Sequence, residues 1–119
     1  MSATVLIVDD DAATRLALVL QCQAEGVAAD AVPDGRAALA YLRSRPRPRV
    51  VLLDLVMPVM DGWQFLDARR GDPELVAIPV VILTGEPVHP AAARALGADG
   101  LLLKPADPRE VLAALAPYR

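Results

Sequence analysis

The sequence predicts an α/β fold: one parallel sheet with helices packed on both faces. Three observations predict it. Apolar runs at residues 4–8, 50–53, 79–83 and 101–103 each stop abruptly at polar or chain-breaking residues, and short continuous runs suit strands covered on both sides. Segments with helical spacing of apolar residues lie between the runs. Strand and helix alternate five times, which builds a parallel sheet with right-handed crossovers. Hydrophobic residues are 55% of the chain and aromatics only 3%, so the core is expected to be aliphatic.

The first strand, residues 4–8, runs into Asp9, Asp10 and Asp11. Asp11 is placed to cap a first helix whose spaced residues are Leu16, Val19, Leu20 and Gln23. The run at 27–32 is weaker because Asp30 interrupts it, and a charge is easiest to accept on an edge strand. After Asp34-Gly35, Ala38, Leu39 and Leu42 mark the second helix. Residues 43–49 alternate arginine with serine and proline and read as a solvated, extended loop. The third strand, 50–53, is followed by a helix carrying Phe65, Leu66 and Arg69. Asp61-Gly62 before it reads as a turn. The fourth strand is 79–83, and residues 92–96 form a short helix that Gly97 can stop. The fifth strand is 101–103. Asp107-Pro108-Arg109-Glu110 opens the last helix with an acidic cap, an early proline and Glu at the capping-box position. Val111, Leu112 and Leu115 form its buried stripe.

A length of 119 residues suits one domain spanning 1–119, with no repeat, linker or second unit visible. The net charge of −3 is too small and of the wrong sign for general nucleic-acid binding. A single cysteine, Cys22, forbids an internal disulfide and fits a reducing compartment. No run is long enough to span a bilayer, and the start lacks a signal peptide's pattern. A cytoplasmic protein is expected.

The chemistry sits just past the strands. Asp9 and Asp10 follow the first, Asp54 the third, Thr84 the fourth, and Lys104 then Pro105 the fifth. In open α/β sheets ligands bind beyond the carboxyl ends of the strands. Neighbouring carboxylates repel one another and raise each other's pKa. A divalent cation relieves this, and an all-oxygen donor set selects a hard ion, with Mg²⁺ suited because it also grips phosphate. Mg²⁺ and Lys104 together balance the charge of Asp9, Asp10 and Asp54. Phosphoryl transfer needs mainly positioning and charge neutralisation. Asp54 can act as the nucleophile, with Thr84 and Lys104 holding phosphoryl oxygens. Structural capping alone accounts for Asp11, but it does not explain Thr84 and Lys104. His89 reads as an exposed residue near a helix start, Cys22 as a small core residue, and Trp63 as packing, partly exposed at the rim.

The chain resembles the receiver domain of two-component response regulators. The resemblance rests on Leu6-Ile7-Val8-Asp9-Asp10-Asp11, on residues 54–62 ending in Met60-Asp61-Gly62, on Val81-Ile82-Leu83-Thr84-Gly85, on Gly97-Ala98-Asp99-Gly100 and on Lys104-Pro105. It covers essentially the whole chain. It implies a flavodoxin-like, doubly wound (βα)5 fold with strand order 2-1-3-4-5. It implies that Asp54 is phosphorylated by a sensor histidine kinase or a histidine phosphotransfer protein, and that phosphorylation switches binding to a downstream effector. Asp10, Asp54 and the Val56 carbonyl would bind Mg²⁺ directly, and Asp9 through a metal-bound water. Thr84 would turn toward the phosphoryl group and Lys104 would pair with it. The Lys104-Pro105 peptide is expected to be cis, and Gly85 to leave the site open. Such a module catalyses its own phosphoryl acceptance and slow aspartyl-phosphate hydrolysis but is not a conventional enzyme; no membrane or direct nucleic-acid partner is implied.

The sequence departs from the family pattern in three places. Leu101 stands where an aromatic residue is usual, Ala106 stands where many members have phenylalanine, and the stretch from Thr84 to Lys104 is shorter than usual and carries Pro87 and Pro90. These departures leave the phosphorylation residues intact and alter the relay to the output face. Two other readings compete. A pseudo-receiver that docks without phosphorylation fits Leu101 but not the complete acid, hydroxyl and lysine set. An aspartate-dependent phosphohydrolase usually wants a second acid two residues past the nucleophile, and that residue is Val56. Nucleotide binding is excluded because no glycine-rich phosphate loop follows a strand.

Overall fold

The computed structural model describes residues 3–44 and 46–119. Five parallel strands, β1 (Val5–Val8), β2 (Ala29–Val32), β3 (Val50–Leu53), β4 (Val80–Thr84) and β5 (Gly100–Leu103), form one sheet in the order β2-β1-β3-β4-β5. The helices are α1 (Ala12–Ala24), α2 (Gly35–Ser44), α3 (Gly62–Arg70), α4 (Pro90–Ala95) and α5 (Pro108–Leu115), with a short 3₁₀ turn over Ala116–Tyr118. This is the expected doubly wound arrangement.

Alternation along each strand divides the core in two, because successive side chains point to opposite faces. Leu6, Val8, Val51, Leu53, Val80 and Ile82 pack with the apolar residues of α2, α3 and α4. Val5, Ile7, Val50, Leu52, Val81 and Leu83 pack with Leu18 and Cys22 of α1 and with Val111, Leu112 and Leu115 of α5. The core is aliphatic apart from Phe65 and Tyr41. Burying a side chain such as Phe65 is worth roughly 1.5–3 kcal/mol.

β2 lies at the edge, and its exposed Asp30 accepts a hydrogen bond from Tyr41 Oη at 2.6 Å. β5 is the other edge. Its leucines are therefore only half-buried, and Leu103 is 58% exposed, unlike the fully covered strand expected there. On α1 the buried face is Leu18 and Cys22, whereas Leu16 and Leu20 face solvent. Of the expected stripe only Val19 packs against the core, because the helix offers two apolar stripes and packing selects the one through Leu18 and Cys22. Asp11 does cap α1, accepting from Thr14 N. Asp61 is more than a turn residue: it caps α3, and with Gln64 it forms a reciprocal capping box. Asp107 caps α5 through Arg109 N, and Glu110 adds no second arm among the described residues. In the arginine-rich loop, Arg47 pairs with Glu74 at 3.1 Å and Arg43 with Asp72 at 3.9 Å, while Arg45 lies outside the described residues.

The loop after β3 stores strain. Val59 has φ of 69°, and Met60 N donates to Pro58 O at 2.8 Å around it. That is a γ-turn of the rarer, strained hand. A β-branched residue with left-handed φ pays roughly 1–2 kcal/mol, and Val59 is too exposed to recover this by packing. Val59→Asn should therefore raise stability by about 1 kcal/mol, seen as a higher urea midpoint with unchanged slope. A midpoint no higher than that of the wild type would show that the turn is not strained.

Candidate functional site

The candidate residues meet where the chain leaves the sheet. Ladder bonds continue one residue past the strands: Asp54 N donates to Val8 O (2.9 Å), Asp9 N to Val32 O (3.1 Å) and Lys104 N to Thr84 O (2.9 Å). The sheet itself thus fixes where each side chain starts. One carboxylate oxygen from each of Asp9, Asp10 and Asp54 lies within 4.8 Å of the other two. Asp9 and Asp54 are buried and Asp10 is exposed. Lys104 Nζ bridges the two buried acids, donating to Asp9 Oδ2 at 2.8 Å and to Asp54 Oδ2 at 3.0 Å. The remaining oxygens accept from backbone: Asp9 Oδ1 from Asp11 N at 2.9 Å, and Asp54 Oδ1 from Val56 N at 3.3 Å.

Thr84 is fully buried at the end of β4, and its Oγ1 accepts from Glu86 N at 3.2 Å. Acting as an acceptor there leaves its hydroxyl proton free to be donated. Gly85 is exposed, and a Cβ placed on it meets nothing within 4 Å. Gly62 is different: a Cβ there would collide with the Asp54 carbonyl oxygen and come within 2.7 Å of Leu55 Cα. Only glycine lets α3 begin so close to the backbone of Asp54, and Gly62 N seals the approach by donating to Leu55 O at 2.9 Å. The Lys104-Pro105 peptide is cis, as expected. Val56 is 54% exposed at the mouth of the site. Trp63 is half-buried and shares a groove of about 250 Å³ with Val56, Asp61 and Glu86. His89 is exposed and caps α4, its Nδ1 accepting from Ala91 N at 3.1 Å.

Leu101 is half-buried and packs against the core alongside Val88 and Leu96. Ala106 helps to line an apolar groove of about 430 Å³ with Ala17, Leu18 and Leu83.

The electrostatics are asymmetric. Burial pushes the Asp9 carboxyl above its ordinary value, although the hydrogen bonds from Lys104 and from the Asp11 amide pull it down. Burial also disfavours the Lys104 ammonium, but its hydrogen bonds to Asp9 and Asp54 outweigh this and hold it above the ordinary lysine value. A raised carboxyl pKa gives stability that is fully present below the unfolded value and lost as pH rises through the folded one. At neutral pH the ionised Asp9 therefore costs stability. Asp9→Asn removes that charge but offers one acceptor to two donors, Lys104 Nζ and Asp11 N, so the gain in stability near pH 7 should be modest, under about 1 kcal/mol. The gain should shrink as acidification protonates the wild type. Denaturation at two pH values checks this, and a variant less stable at pH 7 would show that the Lys104 pairing outweighs burial.

One residue at the site escaped the sequence reading. Arg15 Nη1 donates to the backbone oxygen of Asp9 at 2.8 Å. The available signal was its position on α1, one turn past the cap, because helical side chains lean toward the N-terminus and so back over the rim.

Comparison with known proteins agrees with this geometry. A family described as response regulator receiver domain matches residues 5–116. The DNA-binding response regulator MtrA of Mycobacterium tuberculosis is 35% identical over 115 residues, covering 95% of this chain and 49% of the relative. The chain spans about half the length of the curated relatives of this kind that it matches. Among solved structures, the chemotaxis response regulator CheY4 of Vibrio cholerae superposes with a TM-score of 0.87 at 34% identity and complete coverage of both chains. A response regulator receiver protein from Pseudomonas putida gives a TM-score of 0.88 at 27% identity, with 98% of each chain covered.

Proposed function

The chain belongs to the response-regulator receiver family, and from that premise we propose that Asp54 is its phosphoacceptor, with Thr84 and Lys104 gripping the incoming phosphoryl oxygens. Receiver domains are signalling modules of two-component systems, and no feature of the comparisons favours a pseudo-receiver. The observation that carries the assignment is the Lys104 ammonium lying 2.8 Å from Asp9 and 3.0 Å from Asp54 beside the clustered acids.

The donor set fits Mg²⁺: three carboxylates close enough to share one ion, all oxygen, one of them solvent-exposed. Asp10, Asp54 and the Val56 carbonyl would hold it, with Asp9 acting through a bound water. The ion supplies charge neutralisation and orientation for phosphoryl oxygens. This chain's own residues do the rest. An oxygen of Asp54 attacks phosphorus. The donor's bond to phosphorus, from a histidine ring nitrogen in a kinase or phosphotransfer protein, breaks with its electrons remaining on the donor. The Lys104 ammonium shifts from Asp54 toward the new phosphoryl oxygens, and the Thr84 hydroxyl turns to donate to another. Later attack of water on phosphorus returns Asp54 and phosphate.

Residues 1–119 act as one receiver unit, placed in the cytoplasm, whose phosphorylation changes the surface offered to an effector protein. Among the described residues no helix is long and apolar enough to cross a membrane. Gly85 keeps the approach to Asp54 clear, and Leu101 replaces the usual aromatic relay. With Leu101 packed against the core, the β4–α4 loop from Gly85 on, moving with Thr84 at the end of β4, carries most of the response. Incubation with acetyl phosphate and Mg²⁺ should add one phosphoryl group by mass spectrometry, and chelation of the metal should prevent it. Equal labelling without metal would overturn the metal assignment, and no labelling under either condition would overturn the function.

A further inference from the structure

We propose that Arg15 is a positioning residue for the acid cluster: its guanidinium fixes the Asp9–Asp10 peptide and so aims Asp10 at the cation. The inference rests on the reading of Asp9, Asp10 and Asp54 as a Mg²⁺ site. β1 ends at Val8, and the bond from Asp9 N to Val32 O is where the loop leaves the sheet. α1 begins at Ala12. The acids lie in the gap between. The other bonds in that gap act elsewhere: Asp11 N engages Asp9 Oδ1, Thr14 N and Oγ1 engage the Asp11 carboxylate, and Arg15 N engages the Asp11 carbonyl. Among the described residues only Arg15, at 2.8 Å from the Asp9 carbonyl oxygen, grips the peptide that leads into Asp10. A peptide unit is planar, so fixing its oxygen fixes the direction to the next Cα.

Asp10 depends on this more than its neighbours do. Asp9 and Asp54 are buried and tied to Lys104. Asp10 is exposed, and its carboxylate makes no hydrogen bond or ion pair among the described residues. Its aim comes from the backbone alone. Arg15 also brings a permanent positive charge to the loop without occupying a carboxylate oxygen, whereas Lys104 occupies two. The two cations thus divide the work: Lys104 binds the acids themselves, and Arg15 holds the backbone that presents the exposed one.

The test compares wild type with Arg15→Met, Arg15→Lys and Asp10→Asn in Mg²⁺ titrations, followed by Trp63 fluorescence and by the backbone amide of Asp10 in NMR spectra. Arg15→Met should stay folded, weaken Mg²⁺ about tenfold and make the Asp10 amide more mobile. Arg15→Lys should recover part of the affinity, since an ammonium can donate to the same carbonyl from a shorter reach. Wild-type affinity and a rigid Asp10 amide in Arg15→Met would overturn the role of Arg15 and leave the Mg²⁺ reading standing. A wild type that does not bind Mg²⁺, or an Asp10→Asn variant that binds it equally well, would overturn the Mg²⁺ reading itself. If Arg15→Met does not fold, Arg15→Ala, which has no donor, takes its place: weakened affinity with a more mobile Asp10 amide supports the role, and wild-type affinity removes it.

Discussion

Asp54→Asn should take up no phosphoryl group from acetyl phosphate and Mg²⁺ under conditions that label the wild type, while remaining folded and at least as stable. The substitution is close to isosteric, so it separates chemistry from shape. A neutral amide oxygen is a far weaker nucleophile than a carboxylate, and an acyl phosphate cannot form on it without loss of the amide nitrogen. The environment should tolerate the change. Asp54 is 7% exposed, and its two oxygens accept from Lys104 Nζ and Val56 N. Asparagine can keep one of these bonds and remove one charge from a crowded acid cluster. Lys104 retains Asp9 as its partner at 2.8 Å. Loss of labelling with a preserved denaturation midpoint is therefore the expected pair of results. Label that moves to Asp9 or Asp10 in the variant would show that the cluster, rather than Asp54, is the acceptor. Full labelling with no shift of position would remove Asp54 from the chemistry.

The clustering of the candidate residues was readable from the sequence because parallel strands all deliver their ends to one edge. Once residues 4–8, 50–53, 79–83 and 101–103 are recognised as strands, Asp9, Asp54, Thr84 and Lys104 must gather, whatever the helices do. Asp30 marked an edge strand for an equally direct reason: a charge interrupts a run only where solvent or a partner such as Tyr41 can satisfy it. The helix faces were harder to read. α1 carries Leu16 and Leu20 as well as Leu18 and Cys22, so apolar spacing offers two stripes, and only tertiary packing selects one. β5 failed in the opposite direction, since three leucines read as buried while the sheet ends there. Helix position showed that Arg15 would lean back over the rim, but not which carbonyl it or Arg69 would bind. Both arginines bind backbone carbonyls, and a carbonyl leaves no trace in the identity of the residue that carries it. Val59 belongs to the same class, because its φ of 69° runs against the preference of a β-branched residue and nothing in the identity of a valine announces it.

Arg69→Leu should destabilise the protein by about 3 kcal/mol, the largest loss expected from a single substitution outside the apolar core. Arg69 is 3% exposed on α3. Its guanidinium reaches Ile78 O with Nε at 3.1 Å and Nη2 at 2.6 Å, Val76 O with Nη2 at 2.9 Å, and Gly97 O with Nη1 at 3.5 Å. It thereby joins α3 to the turn before β4 and to the turn before β5. Burial pushes its pKa below the ordinary arginine value while Asp99 pulls it back up, but a guanidinium stays charged at any usable pH. Replacing a whole buried ion pair with apolar residues is often neutral, because both desolvated charges leave together. That escape is closed here. The partners are main-chain carbonyls, which a side-chain substitution cannot remove, and leucine would leave those of Val76 and Ile78 without their donors. The buried carbonyl of Ile78 left unpaired costs about 1–3 kcal/mol, the part-buried one of Val76 adds less, and together they outweigh the desolvation recovered from the arginine. Arg69→Lys should fall in between, because a point ammonium cannot span carbonyls that a planar fork spans. Urea denaturation of the three proteins measures this directly. Leucine and wild type with the same midpoint would mean that solvent reaches those carbonyls and that the clamp contributes nothing. Phosphorylation of the folded fraction should be unaffected in either variant, since Arg69 makes no contact with Asp9, Asp54, Thr84 or Lys104.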